Sequence, residues 1–587
     1  MRSEPRHHHP SWIAATAAAL ALTACQPSAV REAPARSPAP HAAVVAGVAA
    51  ANPYAVEAGL DVLRAGGSAA DAAVAVQAML GLVEPQSSGI GGGAFLLYYD
   101  AQTARVTAFD GREAAPAGAT AGMFLGPDGA PLGYRDAVTS GRSTGVPGVM
   151  PMLGAAHEQF GRLPWSRLFD ASVRAAADGF TVPQRLGAYV NGQVPGSGVS
   201  RQFPQVSLPD ALALFTRPDG STIQPGDLLR NPDYADTLRT LADRGPRALL
   251  EPPIADRIIA RTHDEPLPGT LSRPDFATYE PRTGEPVCGP FLVYVVCVPP
   301  PPSSGVSLLQ LLAILEATDI ASRGPEDPQA WFLFAEASRL MYADRNEYIA
   351  DPKFVEVPVH ELLEPGYVAA RATLIGGRAG PAPEPGRPPG FARGADATVE
   401  ASGTSHFVVV DAEGDVVSMT TSVESLFGSG RAVGGFFLNN QLTDFSFRPE
   451  TEGKPVANAV AGGKRPRSSM SPVIVLDGEG KLVAALGSPG GSSILAYNAK
   501  TLLGLLAWKM PLQEAIDLPN LVASGGNFYG EAGRFPTAVA SGLADRGIEV
   551  KSGRGENSGL HGIVVQQDGR IEGAADPRRE GVWRTVR

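Results

Sequence analysis

Gly403-Thr404-Ser405-His406 opens an apolar run, SHFVVVD, directly behind a stretch rich in proline and glycine. A threonine hydroxyl is a weak nucleophile that needs a base within reach. An N-terminal threonine carries one, because its free α-amine has a pKa of about 7.7–8.0, suited to general-base work near neutral pH. Cleavage between Gly403 and Thr404 would create such a residue, although the four letters alone fit an ordinary strand equally well. Two other short patterns point nowhere. Gly89, Gly91 and Ala94 fit GxGxxA, but these glycines feed a strand, whereas a dinucleotide site needs a strand before them and a helix after. Gly141-Arg142-Ser143-Thr144-Gly145 matches a nucleophile elbow, yet Val146-Pro147-Gly148 follows at once, and so short a match arises by chance in a glycine-rich chain.

The elements that would hold Thr404 can be read from periodicity. Residues 53 to 65 carry apolar side chains at helical spacing and stop at Gly66-Gly67; Ser68 then precedes an alanine-rich helix over 69–82. GIGGGAFLLYYD reads as a glycine loop feeding a strand. PQAWFLFAEASRLMYA, residues 328–343, is a helix whose Trp331, Phe334, Ala335, Ser338, Met341 and Tyr342 share one face and belong to a core. Residues 376–403 have few large apolar side chains and read as a flexible linker. Beyond them SHFVVVD, the turn AEGD and VVSMTTSV form two alternating strands, so Thr404 opens a core strand.

With 587 residues, 44% hydrophobic and 19% charged, the chain is globular and large enough for a sizeable core. Its 68 glycines and 53 prolines predict many turns. A net charge of −11 argues against a nucleic-acid partner. The three cysteines and nine histidines show no metal-ligand spacing, and HExxH is absent, so neither metal nor cofactor is expected. Arg2 and Arg6 followed by the apolar run Trp12 to Ala24, too short to span a bilayer, mark a secretory signal. Its end, Leu22-Thr23-Ala24-Cys25-Gln26, resembles a lipoprotein cleavage box, which makes Cys25 the lipidation site. Gln26 resembles the outer-membrane sorting pattern, so the chain is expected at the periplasmic face on a lipid anchor. Residues 26–41 are then a proline-rich tether. In an oxidising compartment Cys288 and Cys297, with a turn near 289–291 between them, are either a hairpin disulfide or two small buried apolar residues.

Taken together, EAGLDVLRAGGSAADAAVA, VEPQSSGIGGGAF, DGREAAPA, PPPPSSG, MYADRNEYIADP, TSHFVVVDAEGDVVSMTTSVESLFGSG, LNNQLTDFS, KRPRSSMSP, GSPGGS and GAADPR resemble the γ-glutamyltransferase family of N-terminal-nucleophile hydrolases, from about residue 42 to the end. The resemblance implies an α+β fold, the four-layer αββα sandwich, self-cleaved between Gly403 and Thr404 into a large subunit, 42–403, and a small catalytic subunit, 404–587, that stay associated. It makes Thr404 the nucleophile and places Ser422 where many members have a second threonine supporting it. Arg112 matches the arginine for the substrate α-carboxylate, a task for a planar guanidinium, with Ser468 and Ser469 assisting. Asp444, Gln441 and Glu424 match the groups that receive the α-ammonium; many members carry asparagine in place of Glu424. Gly490 and Gly491 match the oxyanion hole, where glycine lets backbone N–H donors come close.

The implied activity is transfer of a γ-glutamyl group from a glutathione-like donor to water or to an amino-acid or peptide acceptor, through an ester on Thr404. Residues 445–463 are shorter than in relatives with a lid loop, so an uncovered pocket is expected. Two alternatives are a glutaryl or cephalosporin-type acylase of the same fold, against which Asp444 and Gln441 argue because a glutaryl group has no ammonium, and a catalytically silent envelope lipoprotein.

Overall fold

In the computed structural model, residues 45–195, 199–200, 203–391, 393–396, 398, 400, 403–552, 558–566 and 568–586 are described. The leader with Cys25 and the tether lie outside them. Strand β1, Gly47–Ala50, leads into α1, Pro53–Arg64, whose first turn is capped by Asn52 accepting from the Tyr54 amide at 3.0 Å; Gly66 at φ +85° ends it. Ser68 and Asp71 then cap each other's amides at the start of α2, Ala69–Val83, which is buried along its whole length. The glycine loop feeds β2, Gly93–Asp100, and β3, Arg105–Asp110, follows.

Later elements complete two sheets. They are β4 (Arg282–Gly284), β5 (Val287–Phe291), β6 (Tyr294–Val298), α3 (Gly305–Glu316), α4 (Pro328–Tyr348), β7 (Gly403–Val410), β8 (Val416–Glu424), β9 (Val473–Leu476), β10 (Leu482–Gly487), α5 (Ile494–Leu502), β11 (His561–Val565), β12 (Ile571–Ala575) and β13 (Val582–Thr585). One sheet runs β13-β1-β7-β8-β2-β3-β4 and the other β12-β11-β10-β9-β6-β5, antiparallel at every pairing.

Because side chains alternate along a strand, each sheet serves two layers. Leu96, Tyr98, Phe407 and Val409 pack on α1 and α2. Their neighbours Leu97, Tyr99, Val408 and Val410 meet Ile474, Leu476, Ala485 and Ile563 of the second sheet. The outer face of that sheet, with Val296, Val298, Val473 and Val475, is covered by α3, α4 and α5. The order is therefore helix, sheet, sheet, helix, the αββα sandwich. Thr404 has the parity of Val408 and Val410, so its side chain points between the sheets, directly opposite Ser422 on β8.

Three features differ from the sequence reading. Helix α4 runs five residues past Ala343 to Tyr348, and Asp344 and Arg345 in that extension are buried, Asp344 pairing with Arg371 at 3.0 Å and Arg345 with Glu400. Cys288 and Cys297 are bonded, but their hairpin turns at Leu292-Val293, beyond the predicted 289–291, which puts them at register-paired positions of β5 and β6. The described residues of the segment 376–403, read as a linker, form neither helix nor strand before Gly403 and are hydrogen-bonded to the body of the fold. Its backbone takes the place of missing apolar contacts: Arg339 donates to Gly380 O at 2.9 Å, Tyr348 to Gly386 O at 2.7 Å, and Gly386 N donates to Asp344 at 2.6 Å.

Candidate active site

The first and last residues of the β7–β8 pair converge on the peptide bond that joins Gly403 to Thr404. Thr404 Oγ1 donates to Ser422 Oγ at 3.2 Å, and Ser422 Oγ donates to the Gly403 carbonyl at 2.7 Å. One hydroxyl thus touches both the Thr404 hydroxyl and the carbonyl of the peptide bond before it. Arg579 donates to the Thr404 carbonyl at 2.9 Å and fixes the other side of the threonine. Gly403 is required by space, since a Cβ there would lie 2.5 Å from backbone atoms of Glu424 and Ser425. Glu424 itself adopts φ +79°, a region a non-glycine residue enters only where its surroundings enforce it. Its amide donates to Ser422 Oγ at 2.8 Å and its carboxylate accepts from Asn440 and, at 3.0 Å, from Tyr134.

Asp444 sits on a 3-10 turn, Gln441–Asp444, and Gln441 donates to its carboxylate at 2.8 Å. Arg112, fully buried, donates to the same oxygen at 2.5 Å and to the carbonyls of Pro466 and Arg467 at 3.1 and 2.6 Å. In the continuous chain the carboxylate partner of Arg112 is therefore Asp444, and not a group seated on the serine pair. Burial raises the Asp444 carboxyl to about 6 even though Arg112 pulls it down. The other Asp444 oxygen has no hydrogen-bond partner among the described residues.

Ser468 is held by a bridge to the prolyl turn before α3, its amide donating to Pro302 O at 2.9 Å. Ser469 Oγ accepts from Arg345 at 2.7 Å, and its amide donates to Glu400 at 3.0 Å. Gly490 and Gly491 form the turn into α5; Gly490, at φ +139°, has Tyr497 where a Cβ would go.

A single cavity brings together Arg112, Thr404, Ser422, Glu424, Gln441, Asp444, Ser468, Ser469 and Gly491. Gly490 stands one residue behind its wall, and none of residues 445–463 lines it. Sequence reasoning missed two of its charged neighbours, Glu400 and Arg345. Arg345 lies in the motif MYADRNEYIADP at helical spacing from Met341, but no role was read for it. The cavity measures about 10 Å³, room for one water at most, and Glu400 is among the residues that line it. A larger cavity of about 290 Å³ lies among residues 116–144 and 268–270; its one charged lining residue, Arg142, donates to Met123 O.

The γ-glutamyltranspeptidase family model matches residues 55–586. The chain belongs to the γ-glutamyltranspeptidase family. It is 34% identical over 548 residues to the glutathione hydrolase proenzyme of Bacillus subtilis (strain 168), covering 91% of this chain and 90% of that one. It is also 34% identical to the acylase ACY 1 proenzyme of Pseudomonas sp. (strain SE83), covering 90% and 91%. Among solved structures, cephalosporin acylase from Bacillus halodurans aligns with a TM-score of 0.79 at 25% identity, over 94% of this chain and 99% of the other.

Proposed function

We propose that this chain is the precursor of a γ-glutamyltransferase and glutathione hydrolase. The observation that carries the reading is the unpartnered Asp444 oxygen in the same cavity as Thr404, with Gln441 and Glu424 beside it. A buried carboxylate with a vacant acceptor suits a substrate ammonium, which γ-glutamyl donors have and glutaryl donors lack. That distinction decides against the acylase alternative, whatever the relatives include.

In maturation Thr404 Oγ1 attacks the Gly403 carbonyl while Ser422 donates to the carbonyl oxygen. The C–N bond breaks, the α-amine of Thr404 takes the proton, and an ester links Gly403 to Thr404 Oγ1. Water hydrolyses that ester, leaving a carboxylate on Gly403 and a free amine on Thr404. The amine then serves as base. Thr404 Oγ1 attacks the γ-amide carbonyl of the donor, the oxyanion is met by N–H groups of the Gly490-Gly491 turn, and the amine product leaves with the proton. Water or an acceptor amine releases the γ-glutamyl group. The subunits 42–403 and 404–587 stay associated because β7 and β8 of the small subunit are flanked in one sheet by β1 and β2 of the large one. Export, with a lipid on Cys25 holding the mature pair at the periplasmic face of the outer membrane, completes the proposal; a Cys25→Ser chain that stays in the membrane fraction would remove that last part.

The decisive experiment is a denaturing gel with N-terminal sequencing, followed by hydrolysis of matched γ-glutamyl and glutaryl anilides. The expected small fragment begins Thr-Ser-His-Phe, and the glutamyl compound is strongly preferred. A folded but intact chain, or a preference for glutaryl, overturns the proposal.

A further inference from the structure

Glu424 has a covering residue that is far from Thr404 in sequence and that the motifs did not single out. Tyr134 opens a short helical turn, Tyr134–Val138, and its hydroxyl donates to the Glu424 carboxylate, 3.0 Å from one oxygen and 3.1 Å from the other. Glu424 is 2% exposed and Tyr134 39%, so a half-exposed ring covers a buried carboxylate. Burial of the hydroxyl, and then the negative charge of Glu424 and Asp444, push the phenol well above the ordinary tyrosine range and keep it a donor. The opposite side of the carboxylate is taken by Asn440, itself tied to Thr443 at 3.0 Å. The turn is fixed in place: its Ala137 shares an apolar cluster with Leu442 and Phe445, within and beside the 3-10 turn that carries Gln441 and Asp444. None of residues 445–463 lines the cavity, and so the cover over Glu424 comes from the other side of the cleavage bond.

We propose that Tyr134 is a specificity-determining residue, which closes the pocket beyond the ammonium position and restricts the enzyme to donors whose α-amine is free. An ammonium held between Asp444 and Glu424 ends where the Tyr134 ring begins. A donor whose amine is acylated, as it is in every internal residue of a γ-linked glutamyl chain, would have to continue through the space the ring occupies. Such a chain is therefore taken only at its amino terminus. Acylation also removes the positive charge, which would leave the buried Asp444 carboxylate without its partner. The ring thus adds a steric barrier to an electrostatic one, and exclusion of the wrong donor needs no contact with the right one. Tyr134 selects among donors and takes no part in the bond changes at Thr404. The inference rests on the γ-glutamyl reading above.

The test compares cleaved wild-type enzyme with Tyr134→Ala and Tyr134→Phe on γ-glutamyl-p-nitroanilide and on the same compound acetylated at its α-amine. Wild-type enzyme is expected to turn over the acetylated donor with at most about 1% of the kcat/KM of the free one. Tyr134→Ala is expected to raise kcat/KM for the acetylated donor at least about tenfold, while the free donor remains the better of the two because the lost charge is not restored. Tyr134→Phe keeps the ring and is expected to keep the exclusion. A tyrosine that merely supports the fold would lower both activities when truncated and could not raise one of them. No rise in a folded Tyr134→Ala enzyme, a rise of equal size in Tyr134→Phe, or wild-type enzyme that accepts both donors alike overturns the proposal. Should Tyr134→Ala lack a melting transition, Tyr134→Ser is measured in its place and the same rise is expected. Cleaved wild-type enzyme that fails on the free γ-glutamyl donor would instead sink the functional reading, and so the two failures are told apart.

Discussion

Two carboxylates lie buried in one small cavity, and their surroundings pull them in opposite directions. Glu400 meets two guanidiniums and an amide; burial alone would raise its pKa, but Arg345 and Arg467 hold it down at about 2. Asp444 is equally buried, has one guanidinium, Arg112, and the Gln441 amide to offset that, and feels the negative charge of Glu400, so it rises to about 6. Both Glu400 oxygens are therefore engaged by the chain itself, whereas Asp444 keeps one oxygen with no hydrogen-bond partner among the described residues. The lesson is that two equally buried carboxylates in one cavity differ in charge state according to how many cations and amides meet them. Removing Glu400 also takes away a charge that raises Asp444, which shifts Asp444 toward its ionised form.

The largest way to break this comparison is to remove the residue whose cavity both carboxylates line. Thr404→Ala is expected to leave the chain uncut on a denaturing gel and to lower turnover at least about 10⁴-fold; cleavage surviving in this variant would end the argument. Asp444→Asn sharpens the contrast between the two carboxylates. It keeps shape and loses charge, so kcat/KM for γ-glutamyl anilide should fall about 10²–10³-fold, equivalent to about 3–4 kcal/mol for a buried charge contact. Glutaryl anilide should be unaffected, and an equal loss on both substrates would show damage to the fold.

Much of the Thr404 side of the site was legible in the sequence, because strand alternation and the AEGD turn fix which residues of β7 and β8 face each other. Ser422 itself entered through the family resemblance, and the register of the pair places it opposite Thr404. The layered fold was legible through family motifs rather than through periodicity, which gives elements and not their stacking. Arg345 was not legible: it extends an apolar helical stripe, and a charged residue at the end of such a stripe ordinarily faces solvent. Glu400 was hidden by composition, since proline and glycine around it suggested loose chain, whereas backbone hydrogen bonds to arginines pin that segment. The hairpin turn was misplaced because glycine and proline at 289–290 attracted it, while the register was set by the pairing of Cys288 with Cys297.

Ser422 allows a smaller perturbation of the reacting bond. Ser422→Ala removes the donor on the Gly403 carbonyl, and self-cleavage followed by gel over time should slow about 10–100-fold, the cost of one hydrogen bond to a developing oxyanion. Smaller still is the effect of acid on the ammonium end. As the folded pKa of Asp444 is raised, protons bind it more readily in the folded chain. Its ionisation therefore costs stability as pH climbs through about 6, but the ionised form is the one that binds donor. KM for γ-glutamyl anilide should rise in the wild type as pH falls and Asp444 is protonated, with no such rise for glutaryl anilide. Glu400 predicts the opposite sign for the uncleaved chain: its contribution to stability persists above the usual glutamate range and is lost only as pH falls toward 2.

The smallest expected effect on the pocket comes from the Cys288–Cys297 bond, which separates what stabilises the sandwich from what shapes its site. The hairpin β5–β6 ends the second sheet, and none of its residues lines the cavity. Closing so short a loop stabilises a fold by about 2–3 kcal/mol through the unfolded chain. Cys288→Ser with Cys297→Ser should therefore lower the denaturant midpoint measurably and leave kcat/KM within about twofold. A large loss of activity with intact folding would mean that strain in the second sheet reaches the Gly490-Gly491 turn through β9 and β10, and that the two regions are coupled in a way their separation does not suggest.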